Sequence, residues 1–580
     1  MTRWRGAVAA AAGLLLVACA TVGDRLIAAQ GFQGQGSPPP VVNSQAYHHY
    51  MLARLAEIEG DITQAIRHYE EALRYDRQDA YLRTNLALLL LRKGEVPRAL
   101  REASAAVQFE PAYVPARLLL ASLYAASNRI QEAIVEYEQI LATDPKNADA
   151  HLDLGRLYVQ QKEYPKALQL FGRLRDLTPT SYIPYYSLGK VYAEMQRWAE
   201  AEEQLKKALE INADSEAVLI ELAVVYEQQQ QWEKAIGIYR RVLDLQPFNN
   251  QVRDRLGRLL VRERRLDEAL DQFKRLGQQD KDNLDIHLKI GLIFLEQKKF
   301  DEALREFNLV LAAHPQRHRA RYYLGLAYEE MGDLALAREA FEAIPKEADV
   351  FVESRVHLAF LKEKEGKLEE AIPFARAALD QEPDNVELVS LLSALYEQTK
   401  RYEDAAALLT EALKKHADSD RLHFRLGVVY DKLKRFDDLV RQMREAIRLN
   451  PKHAEALNYL GYTYAERGIN LDEAEGLIKR ALEIRPKDGY ITDSLGWVYF
   501  QRGDLPRAVE WLRKAVELAP EDATIVEHLG DAYVKSGDRE RGLSMYERAL
   551  GLEHKDEPQK KEELREKIRK LREQNAGQRL

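Results

Sequence analysis

The sequence predicts an all-α solenoid of about fifteen helical hairpins. Three observations carry the prediction. Small residues recur at Ala53, Ala87, Ala121, Gly155, Gly189, Ala223, Gly257, Gly291, Gly325, Ala359, Ser393, Gly427, Gly461, Gly496 and Gly530, each step being 34 residues except one of 35 after Gly461. A second small series follows twelve residues behind the first, from Ala65, Ala99 and Ala133 to Ala405, and resumes at Ala474 and Ala508, with Leu439 and Gly542 as departures. Between the two series lie breakers such as Asn128-Arg129, Gly332-Asp333, Gly366-Lys367 and Gly503-Asp504, which mark a turn between two helices. On either side of each turn apolar residues recur at helical spacing, as from His151 to Tyr158.

The packing logic follows from those spacings. A small residue on each helix lets the two backbones approach, and an aromatic three residues after the first series (Tyr124, Tyr158, Tyr192, Tyr226) fills the volume beside the contact. Proline closes many of the units, among them Pro111, Pro145, Pro179, Pro247, Pro315, Pro383, Pro451, Pro486 and Pro520, because it cannot continue the preceding helix. At 580 residues the chain exceeds what one hydrophobic core supports, which a repeat array resolves. Charged residues make up 31% and hydrophobic ones 46%, the balance of a folded chain. A net charge of −8 offers no basic excess for phosphates, so nucleic acid is excluded as a partner.

The chain begins with a different kind of segment. Arg3 and Arg5 precede an unbroken apolar run from Ala7 to Val17, the n- and h-regions of a secretory signal peptide, too short for a membrane span. The run ends Leu16-Val17-Ala18-Cys19, which resembles the bacterial lipobox. That resemblance implies a signal peptide of residues 1–18, cleavage before Cys19 and acylation of this sole cysteine, and Ala20 after it implies the outer membrane. Ordinary signal-peptidase cleavage after Ala18-Cys19-Ala20 fits the same residues and stays open. Residues 19–45, with glycine, glutamine and three prolines between Gly31 and Pro40, read as a flexible tether. About 26 coil-like residues would reach roughly 25–30 Å.

The repeating unit resembles the tetratricopeptide repeat: His151, Leu154, Gly155, Tyr158, Ala167, Phe171, Leu174 and Pro179 fall on the family pattern in the fourth unit. The resemblance covers residues 46–556 and implies a right-handed superhelix of about fifteen 34-residue units. The odd residue falls in Arg467–Leu471, an inter-helix turn, where an insertion is tolerated. Residues 557–580 read as a closing helix and tail, since Leu564, Ile568 and Leu571 form a stripe on an otherwise charged helix; a coiled-coil or membrane-surface helix is the alternative.

Motifs of chemistry are missing from the sequence: no glycine-rich phosphate loop, no His-Glu-x-x-His and no Gly-x-Ser-x-Gly. His48-His49 and His314/His318 read as surface histidines, and Glu369-Glu370 and Asp437-Asp438 as acids that complement helix dipoles. The expectation is a protein that is not an enzyme and needs no cofactor or metal. The family resemblance implies a concave groove lined by repeat positions 2, 5, 9 and 12. Units four to nine carry mixed charge there, for example Arg156, Lys190, Arg258 and Glu329. The last four units place Phe424, Asn458, Asp493 and Glu527 at position 5 and Val428, Tyr462, Trp497 and Asp531 at position 9, with Tyr490 and Phe500 on the same face. Aromatics beside amides and carboxylates suit a peptide or a sugar; whether Trp497 faces the groove or packs against the next unit is open. The lysine and asparagine pair that the family uses to clamp chaperone tails is missing. The expected role is an envelope lipoprotein facing the periplasm, a scaffold for protein or peptide segments of a secretion, pilus or cell-wall complex. Exopolysaccharide export, with polysaccharide as the partner, is the alternative.

Overall fold

The computed structural model describes residues 43–280, 282–552 and 558–577. The signal peptide, Cys19 and the tether up to residue 42 lie outside the described residues. Among the described residues there are 31 helices and no strand: fifteen hairpins and one closing helix. Contacts divide the chain into two units, one ending at Ile286 and one beginning at His287. Within each unit a helix packs mainly on its hairpin partner and on the helix that follows.

Many of the first helices start on side-chain caps. Asp79, Asn147, Asn385, Asp488 and Asp522 each accept a backbone N–H from the first turn, as short oxygen-bearing side chains do at this position. Asn43 does the same for Ser44–Glu59, so the first helix begins inside the stretch read as tether, because Asn43 accepts from Gln45 and Ala46. Glu369, Glu370, Asp437 and Asp438 occupy the first turns of their helices, where the N-terminal dipole favours them.

Every hairpin turns through one left-handed residue, seven positions after the small residue of its first helix. Seven of these are glycine, from Gly60 and Gly94 to Gly537; the other eight are Asn128, Lys162, Gln196, Gln230, Arg264, Lys298, Lys400 and Lys434, with φ of 57–60°. The thirteenth turn adds a second one, Asn470 at φ 46°, two residues after Gly468, and so absorbs the odd residue of the array. The small residue itself makes room for a ring. A Cβ on Gly291 would lie 2.5 Å from the Phe307 ring, which is fully buried.

One hairpin departs from the pattern. Its second helix, Leu334–Glu342, has nine residues instead of the usual 13 or 14 and stops at Ala343, two residues before Pro345. Arg355 of the next hairpin closes the gap: it is buried, and its guanidinium donates to Ile344 O at 2.5 Å. The 34-residue phase survives because the lost helical residues reappear as turn.

The two ends of the array differ. Ten residues into each repeat, Leu89 and Leu123 are 3% and 1% exposed, whereas Leu55 of the first hairpin is 50% exposed, with no earlier hairpin among the described residues to cover it. At the other end Leu564, Ile568 and Leu571 of helix Pro558–Gly577 are buried in one cluster with Leu529 and Tyr546.

Candidate peptide-binding groove

Along the second unit, the last turn of one first helix reaches the middle of the next. Glu329 meets His357 Nδ1 at 2.8 Å, Glu397 accepts from Arg425 Nε at 3.0 Å, and Asp431 accepts from the Tyr459 hydroxyl at 2.9 Å. These partners stand at positions 12 and 6 of successive repeats. Burial holds the Glu397 carboxyl above its ordinary value in spite of Arg425.

The three hairpins that carry the candidate residues change this rule. Position 12 of helix Gly489–Arg502 is Phe500, and the receiving residue of helix Ala523–Lys535 is His528. Without an acid at position 12, His528 pairs with Asp493, its Nδ1 lying 2.9 and 3.1 Å from the two carboxylate oxygens. Asp493 is 5% exposed and His528 8%. Burial alone would lower the imidazole pKa; the carboxylates of Asp493, Asp531 and Glu527 outweigh it and hold the pKa above the ordinary value. Trp497 stacks on both aromatic neighbours, at 4.1 Å between ring centroids to His528 and 4.5 Å to Phe500. Lys535 Nζ sits 4.1 Å over the Phe500 ring.

Two carboxylates are taken by the closing helix. Lys567 Nζ lies 2.9 Å from Glu527 and 2.7 Å from Asp531, and the Tyr546 hydroxyl also donates to Asp531. The expectation that Asp493, Glu527 and Asp531 stand open for a partner is therefore corrected. Each faces another hairpin or the closing helix, loses water there and needs an internal cation. Trp497 packs against the next repeat through His528, which resolves the alternative left open above. Tyr462 is half-buried, and burial with Glu466 and Asp493 nearby pushes its hydroxyl pKa up. Tyr490 alone of the candidate set is largely exposed, at 62%, and the Asp522 carboxylate raises its pKa.

Two polar atoms in this region are buried without a hydrogen-bond partner: Asn458 Oδ1 and Trp497 Nε1. One is an acceptor and the other a donor. The region therefore offers a partner an exposed phenol and the uncovered parts of two stacked rings. Among the described residues no group of three or more acidic, histidine or cysteine side chains could hold a metal.

Models of the tetratricopeptide repeat match residues 50–113, 125–189, 181–247, 255–317, 288–349, 363–425, 424–489, 496–537 and 526–560. The chain belongs to the tetratricopeptide repeat family. A TPR repeat-containing protein of Pseudomonas aeruginosa is 44% identical over 63 residues, a stretch that is 11% of this chain and 11% of that protein. Yeast Tom70 aligns with 74% of this chain and 97% of its own at 18% identity and a TM-score of 0.34. YrrB, a tetratricopeptide protein described as having an unusual peptide-binding site, aligns with 32% of this chain and 95% of its own at 22% identity and a TM-score of 0.28.

Tetratricopeptide arrays are protein-interaction scaffolds, a fold that typically binds and does not catalyse. This tetratricopeptide chain also uses position 4, where the family usually has tryptophan, in a way the sequence reading passed over. Arg83, Arg117, Arg253, His287 and His423 stand there and bond Glu102, Glu136, Gln272, Glu306 and Gln442, which occupy position 23 of the same hairpins. Arg117 also donates to Pro111 O at 2.7 Å, and His423 Nε2 lies 3.2 Å from Ala417 O, so the residue clips the linker to the hairpin. The nineteen-residue spacing of a basic and an acidic or amide residue was the available signal.

Proposed function

We propose that the chain is a lipid-anchored adaptor of the bacterial envelope, held through Cys19 at the outer membrane and facing the periplasm, that gathers peptide segments of a secretion, pilus or cell-wall complex. The supporting observation is the position of the only cysteine, directly behind an apolar run of signal-peptide length and ahead of an array that occupies nearly all the rest of the chain. Tri-acylation would hold such a protein firmly, since each buried methylene contributes about 0.8 kcal/mol.

The groove around Asn458, Tyr462, Tyr490, Trp497 and Phe500 is the surface we assign to the partner. Tyr490, 62% exposed, presents a hydroxyl that can both donate to and accept from the backbone of an extended segment. Export of an exopolysaccharide is the second reading, favoured by the stacked aromatics. It ranks behind the first because Trp497 already spends ring surface on His528 and Phe500 that a sugar would need.

The test is fractionation. Wild-type protein should pellet with outer membranes through a salt wash, and the Cys19→Ser variant should move to the soluble fraction. A variant that still pellets would remove the anchor from the proposal. A photo-crosslinking residue at Tyr490 should then yield a protein adduct that the same residue at Arg258 does not.

A further inference from the structure

The ninth hairpin breaks the position-4 clip. Arg321 stands at position 4, and its Nη2 donates to Pro315 O at 3.0 Å, the linker bond that Arg117 makes to Pro111. Its position 23 is Ala340; the hairpins of His49, His151 and Arg355 likewise lack an acid or amide there (His68, Leu170 and Phe374), whereas five others carry Glu102, Glu136, Gln272, Glu306 or Gln442. Arg321 therefore has no acid or amide at position 23 for its Nη1 to bond, as Arg117 and Arg253 have; its Nε is buried with no hydrogen-bond partner, as is that of Arg253. The place that an acid takes against Nη1 in the sibling hairpins is one that a ligand carboxylate can take here.

Room for that ligand exists beside it. A cleft of about 270 Å³ opens at Arg321, where the second helix is the shortened Leu334–Glu342. Leu311, Leu324, Leu336 and Tyr328 line it, with Ala340 in the wall where an acid would otherwise stand. Glu339 also lines it; this exposed carboxylate makes no ion pair with Arg321. The adjoining linker carries Arg317 and Arg319, the latter paired with Asp349 at 2.6 Å. The cleft uses positions 4, 7 and 11 of the first helix and the outer side of the second, so it is a surface apart from the groove positions 2, 5, 9 and 12.

We propose that this cleft takes an acidic, apolar-flanked segment of a partner protein, one aspartate or glutamate carboxylate bonding Arg321 where sibling hairpins use their own acid. A neighbouring leucine-like side chain of the segment packs against Leu311, Leu324 and Leu336. The cleft is smaller than the ~300–1,000 Å³ that whole small ligands occupy, so it suits two anchor side chains of a longer segment. This second docking point is independent of the groove reading.

The experiment uses full-length protein and a fluorescein-labelled peptide, Gly-Glu-Leu-Leu-Asp-Gly, followed by fluorescence anisotropy. Its neutral counterpart, Gly-Gln-Leu-Leu-Asn-Gly, is the control, and octanoate is a competitor without a peptide chain. The acidic peptide should saturate, and the neutral one should bind about tenfold more weakly or worse. Ala340→Glu restores the acid of the other hairpins and should close the site from within, weakening the acidic peptide about tenfold while keeping or raising thermal stability. Arg321→Gln should weaken it as much, and decides the matter if Ala340→Glu fails to fold. The proposal is overturned if the neutral peptide binds equally, if both folded variants bind like wild type, or if no saturation occurs by about 1 mM. Binding of octanoate without binding of the peptide overturns it in favour of a lipid carboxylate.

Discussion

Replacing Asp493 by alanine should loosen the last two hairpins together, not merely empty a groove. The carboxylate is 5% exposed and both its oxygens lie within 3.1 Å of the Nδ1 of His528, itself 8% exposed. Its loss leaves an imidazolium buried without a partner or forces the ring to give up its proton. Breaking a buried pair by removing one member destabilises by about 3–5 kcal/mol, which is roughly 150- to 5,000-fold in an opening equilibrium. Because hairpins lean mainly on their neighbours, the effect should concentrate in helices Gly489–Arg502, Ala523–Lys535 and Pro558–Gly577. Amide hydrogen exchange read by mass spectrometry resolves it, with exchange in those helices faster by that factor and unchanged before about residue 450. The effect also has a sign in pH. Folding raises the His528 pKa above its unfolded value of about 6.5, so the pair stabilises fully below that pH and fades as pH rises through the folded value. The gap between wild type and variant should be widest near pH 6 and narrow in alkali. Unchanged protection, or a gap that widens with pH, would refute the reasoning.

Two further outcomes follow from the turns and the closing helix. Gln230 is held at φ 58°, which costs a residue with a Cβ about 1 kcal/mol, so Gln230→Gly should slow exchange in helices Glu216–Gln228 and Trp232–Leu245 about fivefold. Lys567→Ala removes the cation between Glu527 and Asp531; at 38% exposure of the lysine the loss should be about 1 kcal/mol, read as cleavage of the closing helix by trypsin a few-fold faster per remaining site.

The phase of the array was legible because close approach of two helices demands a small residue at a fixed place, and fifteen repetitions leave no ambiguity about register. The turn that absorbs the odd residue was legible for the same reason. The shortened helix before Pro345 was not, since the spacing of Gly325 and Ala359 is unaltered and only the proline outside the regular series marks it. At the candidate groove the sequence did not show which groups are already paired. Position 5 and position 9 were assigned one repeat at a time, whereas Asp493 meets His528 and Asp531 meets Lys567 across repeats. A lone carboxylate in a sequence looks available; whether a cation lies 35 residues further on decides it.

The neighbour-only packing of the hairpins has a mechanical consequence. A chain tethered at one end and loaded at the other carries tension through a series of small interfaces, none of which protects another. The weakest link gives first, and each hairpin released adds 34 residues of extendable chain, roughly 100 Å at full stretch, while the hairpins beyond keep their shape. Such a protein yields in steps and recoils in steps, a compliant strut between whatever holds its first hairpin and whatever grips its last.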